Sequence, residues 1–162
     1  MRIHAILALT LLVGLSACDS VFGADEGDSS ATITGSGVSV AFDGGEASLA
    51  DDGRLFVTYS RSGDSFFLGL YPVGAAELGV GTFDIVPFSA GRTTPAVDGF
   101  NGTASASFGE PLDGISFTRS GTLTVESASD SEVSGTIRLV TADVGESSPE
   151  ELSVEATFRA VR

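Results

Sequence analysis

The chain has no tryptophan, a single cysteine (Cys18) and a single histidine (His4), and all eight of its basic residues are arginine, so lysine is absent. Each absence excludes chemistry. His4 lies in an N-terminal stretch that reads, below, as removed. What is left has no histidine for Ser-His-Asp or Cys-His catalysis, nor the His and Cys ligands of common zinc and iron sites. Any chemistry would rest on carboxylates, hydroxyls, arginine or a bound hard cation. All 22 acidic residues follow Cys18, against seven arginines once Arg2 is set aside, so that part carries about −15. Such a charge repels nucleic-acid phosphates and anionic lipid, and neither is an expected partner. Acid-rich, lysine-free composition reads first as adaptation to salt, ahead of a specific cation-binding role.

Long apolar runs are missing too. The longest, residues 5–15 (AILALTLLVGL), is too short for a membrane-spanning helix, which needs about 20 apolar residues. Preceded by Met1-Arg2 and followed by the small residues Ser16 and Ala17, it has the three-part pattern of a secretory signal. Leu15-Ser16-Ala17-Cys18 resembles the lipobox of bacterial lipoproteins: an aliphatic residue, a small residue, Gly, Ala or Ser, then Cys. The resemblance implies cleavage between Ala17 and Cys18 and acylation of Cys18. Two or more acyl chains anchor stably where one does not, and the only thiol would be consumed. The expected division is a signal peptide over 1–17, a lipidated cysteine with a flexible acidic tether over 18–30, and one domain over 31–162. The tether, residues 19–30 (DSVFGADEGDSS), holds too little apolar surface to offset its ordering entropy. Acidic residues directly after the cysteine resemble surface-export signals of Bacteroidota-type lipoproteins. In enterobacterial lipoproteins, Asp directly after the cysteine would instead imply inner-membrane retention; the expected location is the bacterial cell envelope, with the outer membrane, on its periplasmic or cell-surface face, ahead of the inner.

From Ala31 onward, short alternating runs are bounded by Gly, Asp, Ser and Pro, and no stretch has a sustained 3.6-residue period. Val38, Val40 and Phe42 alternate with small residues. Residues 54–60 (RLFVTYS) and 65–71 (SFFLGLY) flank Arg61-Ser62-Gly63-Asp64, a hairpin turn. Phe83 and Ile85 make a short strand, and 103–108 a weaker, alanine-rich one. Leu123 and Val125 pair with Val133, Ile137 and Leu139 across 127–130, and Leu152, Val154, Ala156 and Phe158 alternate to the end. The one helical candidate is 74–78 (GAAEL). The pattern predicts an all-β fold, an antiparallel β-sandwich or barrel of about eight to ten short strands. A Gly-Thr-apolar-x-apolar unit recurs at Gly81–Ile85, Gly121–Val125 and Gly135–Leu139, each glycine expected to permit a bend or bulge at strand entry.

These stretches carry a second resemblance. Glu77-Leu78-Gly79-Val80-Gly81-Thr82-Phe83, Ser120-Gly121-Thr122-Leu123-Thr124-Val125, Val133-Ser134-Gly135-Thr136-Ile137 and Val154 to Phe158 are similar to motifs of small all-β lipoprotein domains of Bacteroidota-type bacteria. Ala156 departs from that pattern, where glycine is usual. The resemblance implies an all-β fold and brings no activity with it.

Three groups of residues are candidates for a site. Asp51-Asp52-Gly53 and Asp25-Glu26-Gly27-Asp28 could offer oxygen ligands to calcium, but Asp-Gly pairs are ordinary turn chemistry, and the turn is the expectation. In 65–71 both faces are apolar: Phe66, Leu68 and Leu70 on one, Phe67 and Tyr71 on the other, where Phe56 could join an aromatic patch for a sugar ring or a partner. The expectation here is packing, a central strand covered on both sides. Gly91–Pro95 and Gly99–Gly102 read as a long loop region and 146–151 (ESSPEE) as a solvated acidic turn. No catalytic, cofactor or metal residue is assigned. The sequence thus predicts an envelope lipoprotein with a binding or structural, non-catalytic role. Its partners would be the membrane, through the anchor, and envelope proteins or glycans. A carbohydrate- or calcium-binding accessory module is the alternative, and a carboxylate-based hydrolase a distant third.

Overall fold

The last strand shows how the chain builds a wall. In β10 (Glu151–Val161) Leu152, Val154, Ala156, Phe158 and Ala160 are buried while the intervening residues face solvent or its edge. A period of two puts one apolar face inward. The computed structural model describes residues 29–35, 37–74, 76–87, 98–107, 114–143 and 151–161, and these form ten strands in one sheet. The others are β1 (Ala31–Gly35), β2 (Val38–Phe42), β3 (Gly45–Leu49), β4 (Leu55–Arg61), β5 (Asp64–Val73), β6 (Gly81–Ile85), β7 (Gly99–Ser107), β8 (Gly114–Ala128) and β9 (Glu132–Asp143). The all-β expectation is met.

The sheet closes on itself. Strand pairing runs β3–β4–β5–β7–β8–β9–β10 and returns from β10 to β3. Following partners around this ring from Val133 leads through Ala160, Ala47, Val57, Leu68, Ala104 and Ser116 back to Asp143 on the starting strand. That stagger, from position 133 to 143, is even, so the two-residue alternation of the strands stays in register around the ring. A stagger of this kind is what tilts barrel strands, typically by about 35–45°. The interior is filled by Phe42, Leu55, Val57, Tyr59, Phe66, Leu68, Leu70, Phe100, Leu123, Ile137 and Phe158, all essentially inaccessible. Each large apolar side chain so buried contributes roughly 1.5–3 kcal/mol.

β10 is where the wall changes partner. Its first half pairs with β1, Ala31 opposite Ala156, and its end pairs in parallel with β3, Ala160 opposite Ala47. Between them, Thr157 N donates to Ser30 O at 2.7 Å, but Ser30 N turns to Thr157 Oγ1 at 2.9 Å. The Thr157 carbonyl left over accepts Tyr59 OH from inside the barrel at 2.8 Å, and Arg159 N donates to Ser29 Oγ at 3.2 Å. Ser29, 2% exposed, and Ser30 therefore belong to the wall, two residues ahead of the expected boundary at Ala31. On the far side of β1, β2 approaches β4 through a side chain: Arg61 Nη1 donates to Ala41 O at 3.0 Å, with its guanidinium over the Phe42 ring.

The three Gly-Thr units lie side by side. Gly81–Ile85 pairs antiparallel with Gly121–Val125, and that with Gly135–Leu139, each glycine opposite the last residue of the neighbouring unit. Only Gly81 stands at strand entry, which corrects the expectation for the other two. Gly121 and Gly135 sit mid-strand because neighbouring backbone fills the space of a side chain. A Cβ on Gly121 would meet Arg138 O and Leu139, and one on Gly135 would meet Thr124 O. Bulges at Thr118/Ser120 and Val125/Ser127 flank the unit in β8. The helical candidate at 74–78 is also corrected: no helix occurs among the described residues. Gly74 has φ +70°, outside the helical region, and the chain then lays Ala76 and Leu78 against the core.

Candidate recognition face

A barrel wall has one covered face, so the aromatic residues of β5 divide. Phe66, Leu68 and Leu70 point inward and are fully buried. Phe67 and Tyr71 point outward with Phe56 of β4, and Phe67 is 36% exposed. The expectation that 65–71 is covered on both sides is thus overturned: it is a central strand, but of a barrel rather than of a stacked sheet. The Arg61–Asp64 hairpin is as expected, with Ser62 at φ +44° and Gly63 at +96°, the positive values a tight two-residue turn needs.

Outside, Phe56 stacks on Phe67 with ring centres 6.0 Å apart and meets Tyr71 edge-on at 6.1 Å. Gly69 makes this possible. It lies opposite Phe56 and between Phe67 and Tyr71, and its missing side chain leaves room for the rings: a Cβ there would stand 3.2 Å from Tyr71 Oη and 3.5 Å from Phe56. The Arg54 guanidinium sits 5.5 Å over Phe56. Its position is fixed by Asp52, whose carboxylate it holds at 2.8 Å. That hydrogen bond keeps the Asp52 carboxyl below its ordinary range and raises Arg54. Asp52 is therefore committed to the β3–β4 turn, in which Gly53 N donates to Ala50 O at 2.9 Å.

The aromatic cluster continues across β7 in register. Tyr71 lies opposite Asn101, Gly69 opposite Thr103, and Phe67 opposite Ser105. On β8, Phe117 then follows Thr103 and Ile115 follows Ser105, with Ile115 59% exposed. The result is a polar strip, Asn101-Thr103-Ser105, bordered by Phe56, Phe67 and Tyr71 on one side and by Ile115 and Phe117 on the other. Gly99–Gly102, expected as loop, is the first part of this strand. Small residues are needed there, since a Cβ on Gly102 would meet Gly69 O.

The opposite wall has another character. Thr82, Thr124, Thr136 and Thr157 stand opposite one another on β6, β8, β9 and β10, and Ser30 continues the row. Two shallow depressions lie here, of about 360 and 230 Å³, sharing Thr136 and Thr157. The larger carries Glu126 and Glu132, but Arg159 holds Glu132 at 2.8 Å. Among the described residues no group of three or more His, Cys, Asp or Glu side chains could hold a metal ion.

Other sequence candidates, namely Ala17, Cys18, Asp25–Asp28, Gly91–Pro95 and 146–150, lie outside the described residues. Asn101 falls in the stretch that reads from sequence as loop, and Thr103, Ser105, Ile115 and Phe117 are not site candidates there, although Asn-x-Thr-x-Ser and Ile-x-Phe alternation carries the signal. No family model, curated protein or solved structure matches the chain.

Proposed function

We propose that this protein is a non-catalytic recognition protein of the bacterial cell envelope, anchored at the outer membrane by lipid on Cys18, with the outer face of β4, β5 and β7 as its binding surface. The observation that carries the reading is the open aromatic cluster. Phe56, Phe67 and Tyr71 gather on solvent-facing positions of a barrel whose interior already holds its own aromatic core. Its placement supports the same reading. Ser29 and Ser30 enter the wall against β10, and around the ring β5 and β7 lie farthest from β10. A tether leading from Cys18 to Ser29 would leave that face turned away from its attachment. The lipobox resemblance of Leu15–Cys18 supports the anchor, and the lack of any histidine after His4 supports a non-catalytic role.

The anchor is tested by expressing the full chain and Cys18→Ser in a bacterial host with fatty-acid labelling and detergent phase partition. The expected result is label and detergent-phase recovery for the unchanged chain, and neither for Cys18→Ser. An unlabelled parent chain would overturn the reading.

A further inference from the structure

We infer that the aromatic face takes a neutral glycan chain, laid along β7 with its sugar rings against Phe67 and Tyr71. This rests on the recognition reading above and specifies its ligand. Four features select that class.

Chemistry comes first. The face alternates flat rings with hydrogen-bonding groups one strand away: Tyr71 beside Asn101, and Phe67 beside Ser105. A pyranose ring presents the same alternation, with C–H groups on its faces and hydroxyls at its edges. An aromatic face and a flanking amide or hydroxyl satisfy both. A purely apolar ligand would leave Asn101, Thr103 and Ser105 covered and unpaired.

Size is the second feature. Same-side residues on a strand are about 6.7 Å apart and strands about 4.8 Å apart. Three rows on four strands, from Tyr71 to Ile115, thus span roughly 14 by 14 Å, about 200 Å². A stable protein interface needs about 800 Å² per partner. The face is too small for that and long enough for a short oligosaccharide.

Third is shape. The face is a barrel wall and not a cleft, whereas small drug-like ligands are retained by concave sites that bury most of their surface. A repeating chain gains by extending along a flat surface instead. Fourth is charge. With a net −14, the chain repels acidic polymers and further copies of itself, and Arg54, beside Phe56, is already held by Asp52. A neutral polymer meets no such barrier.

The test uses the full chain in detergent micelles against immobilised neutral glucans, xylans, mannans and galactans, with polygalacturonate and heparin as acidic counterparts. The expected outcome is binding to a neutral glycan that changes little between low and moderate salt. Phe67→Ala or Tyr71→Ala should lower affinity at least tenfold, while Phe67→Tyr retains it. Ser105→Ala should cost a few-fold, and Thr136→Val, on the opposite wall, nothing. Unchanged urea midpoints for these variants separate lost contacts from lost fold. Preference for the acidic polymers would overturn the inference, as would neutral-glycan binding indifferent to Phe67 and Tyr71. Absence of binding to any glycan would also overturn it. In that last case, crosslinking in the native envelope decides the broader reading. A protein partner lost on Phe67→Ala would leave the recognition face standing with another ligand, and an unchanged crosslinking pattern would remove the face as well.

Discussion

The two outer walls of the barrel share one interior but are built on different terms. Along the Thr82–Thr124–Thr136–Thr157 row of β6, β8, β9 and β10 the outward residues are threonine with charges beside them, and Gly121 and Gly135 lie where backbone crowds them. On β4 and β5 the outward residues include the rings of Phe56, Phe67 and Tyr71, beside the polar strip of β7, and Gly69 lies where rings crowd it. The first arrangement is what a solvated sheet needs: β-branched hydroxyls that suit the pleat. The second exceeds that need. Cross-strand aromatic pairs do add roughly 0.2–1 kcal/mol to a sheet, but a row of threonine meets the structural requirement without exposing Phe67. The comparison separates what the barrel requires from what it presents.

The sharpest break between the walls is at glycine. Gly121→Ala and Gly135→Ala place a methyl against main-chain atoms that cannot yield, and each should destabilise by about 3 kcal/mol, at the upper end of overpacking costs. Gly69→Ala meets mainly movable ring atoms and should cost under about 1 kcal/mol. Urea unfolding of the three variants tests this, and equal losses would erase the distinction.

Tyr59 joins the two walls, reaching from β4 to the Thr157 carbonyl on β10. Tyr59→Phe strands that carbonyl and should cost about 1–3 kcal/mol. Burial also pushes the Tyr59 phenol well above its ordinary value of 10.0. The folded chain therefore keeps a proton that the unfolded chain releases. The corresponding stability is complete below about pH 10 and falls as the pH rises above it. Denaturation midpoints across that range should decline in the parent and decline less in Tyr59→Phe. The smallest effect belongs to the threonine wall. Arg138 and Glu155 stand 3.7 Å apart with both side chains 73% exposed, and Arg138→Gln should change stability by less than about 0.5 kcal/mol in a urea melt.

Much of this architecture was legible in the chain. Alternation found β10, the β4–β5 hairpin, β6 and the β8–β9 pairing, because each carries its own apolar face. β3 and the start of β7 were not legible. Gly45–Leu49 and Gly99–Gly102 are poor strand formers by composition, and their state is imposed by neighbours: Gly45 by the Tyr59 ring and Gly102 by the Gly69 carbonyl. The helical reading of 74–78 rested on local composition, and the backbone at Gly74 overrode it. Closure could not be read because it depends on β10 serving two partners along one edge, a long-range fact that no local pattern carries. The same gap hid the aromatic face. Phe56, Phe67 and Tyr71 were visible as an apolar second side, but whether anything covered it depended on sandwich against barrel.

The shared edge of β10 also sets the order of assembly. Ser30 bonds to Thr157, and Ala47 pairs with Ala160, so the earliest and latest described strands meet across most of the chain's length. Until residues 151–161 arrive, β3 and β9 each lack a neighbour, and the ring cannot shut from either side. Contacts so distant in sequence close slowly. A chain with this wiring should stay open while it is being made. The strand that completes the wall doubles as the delay.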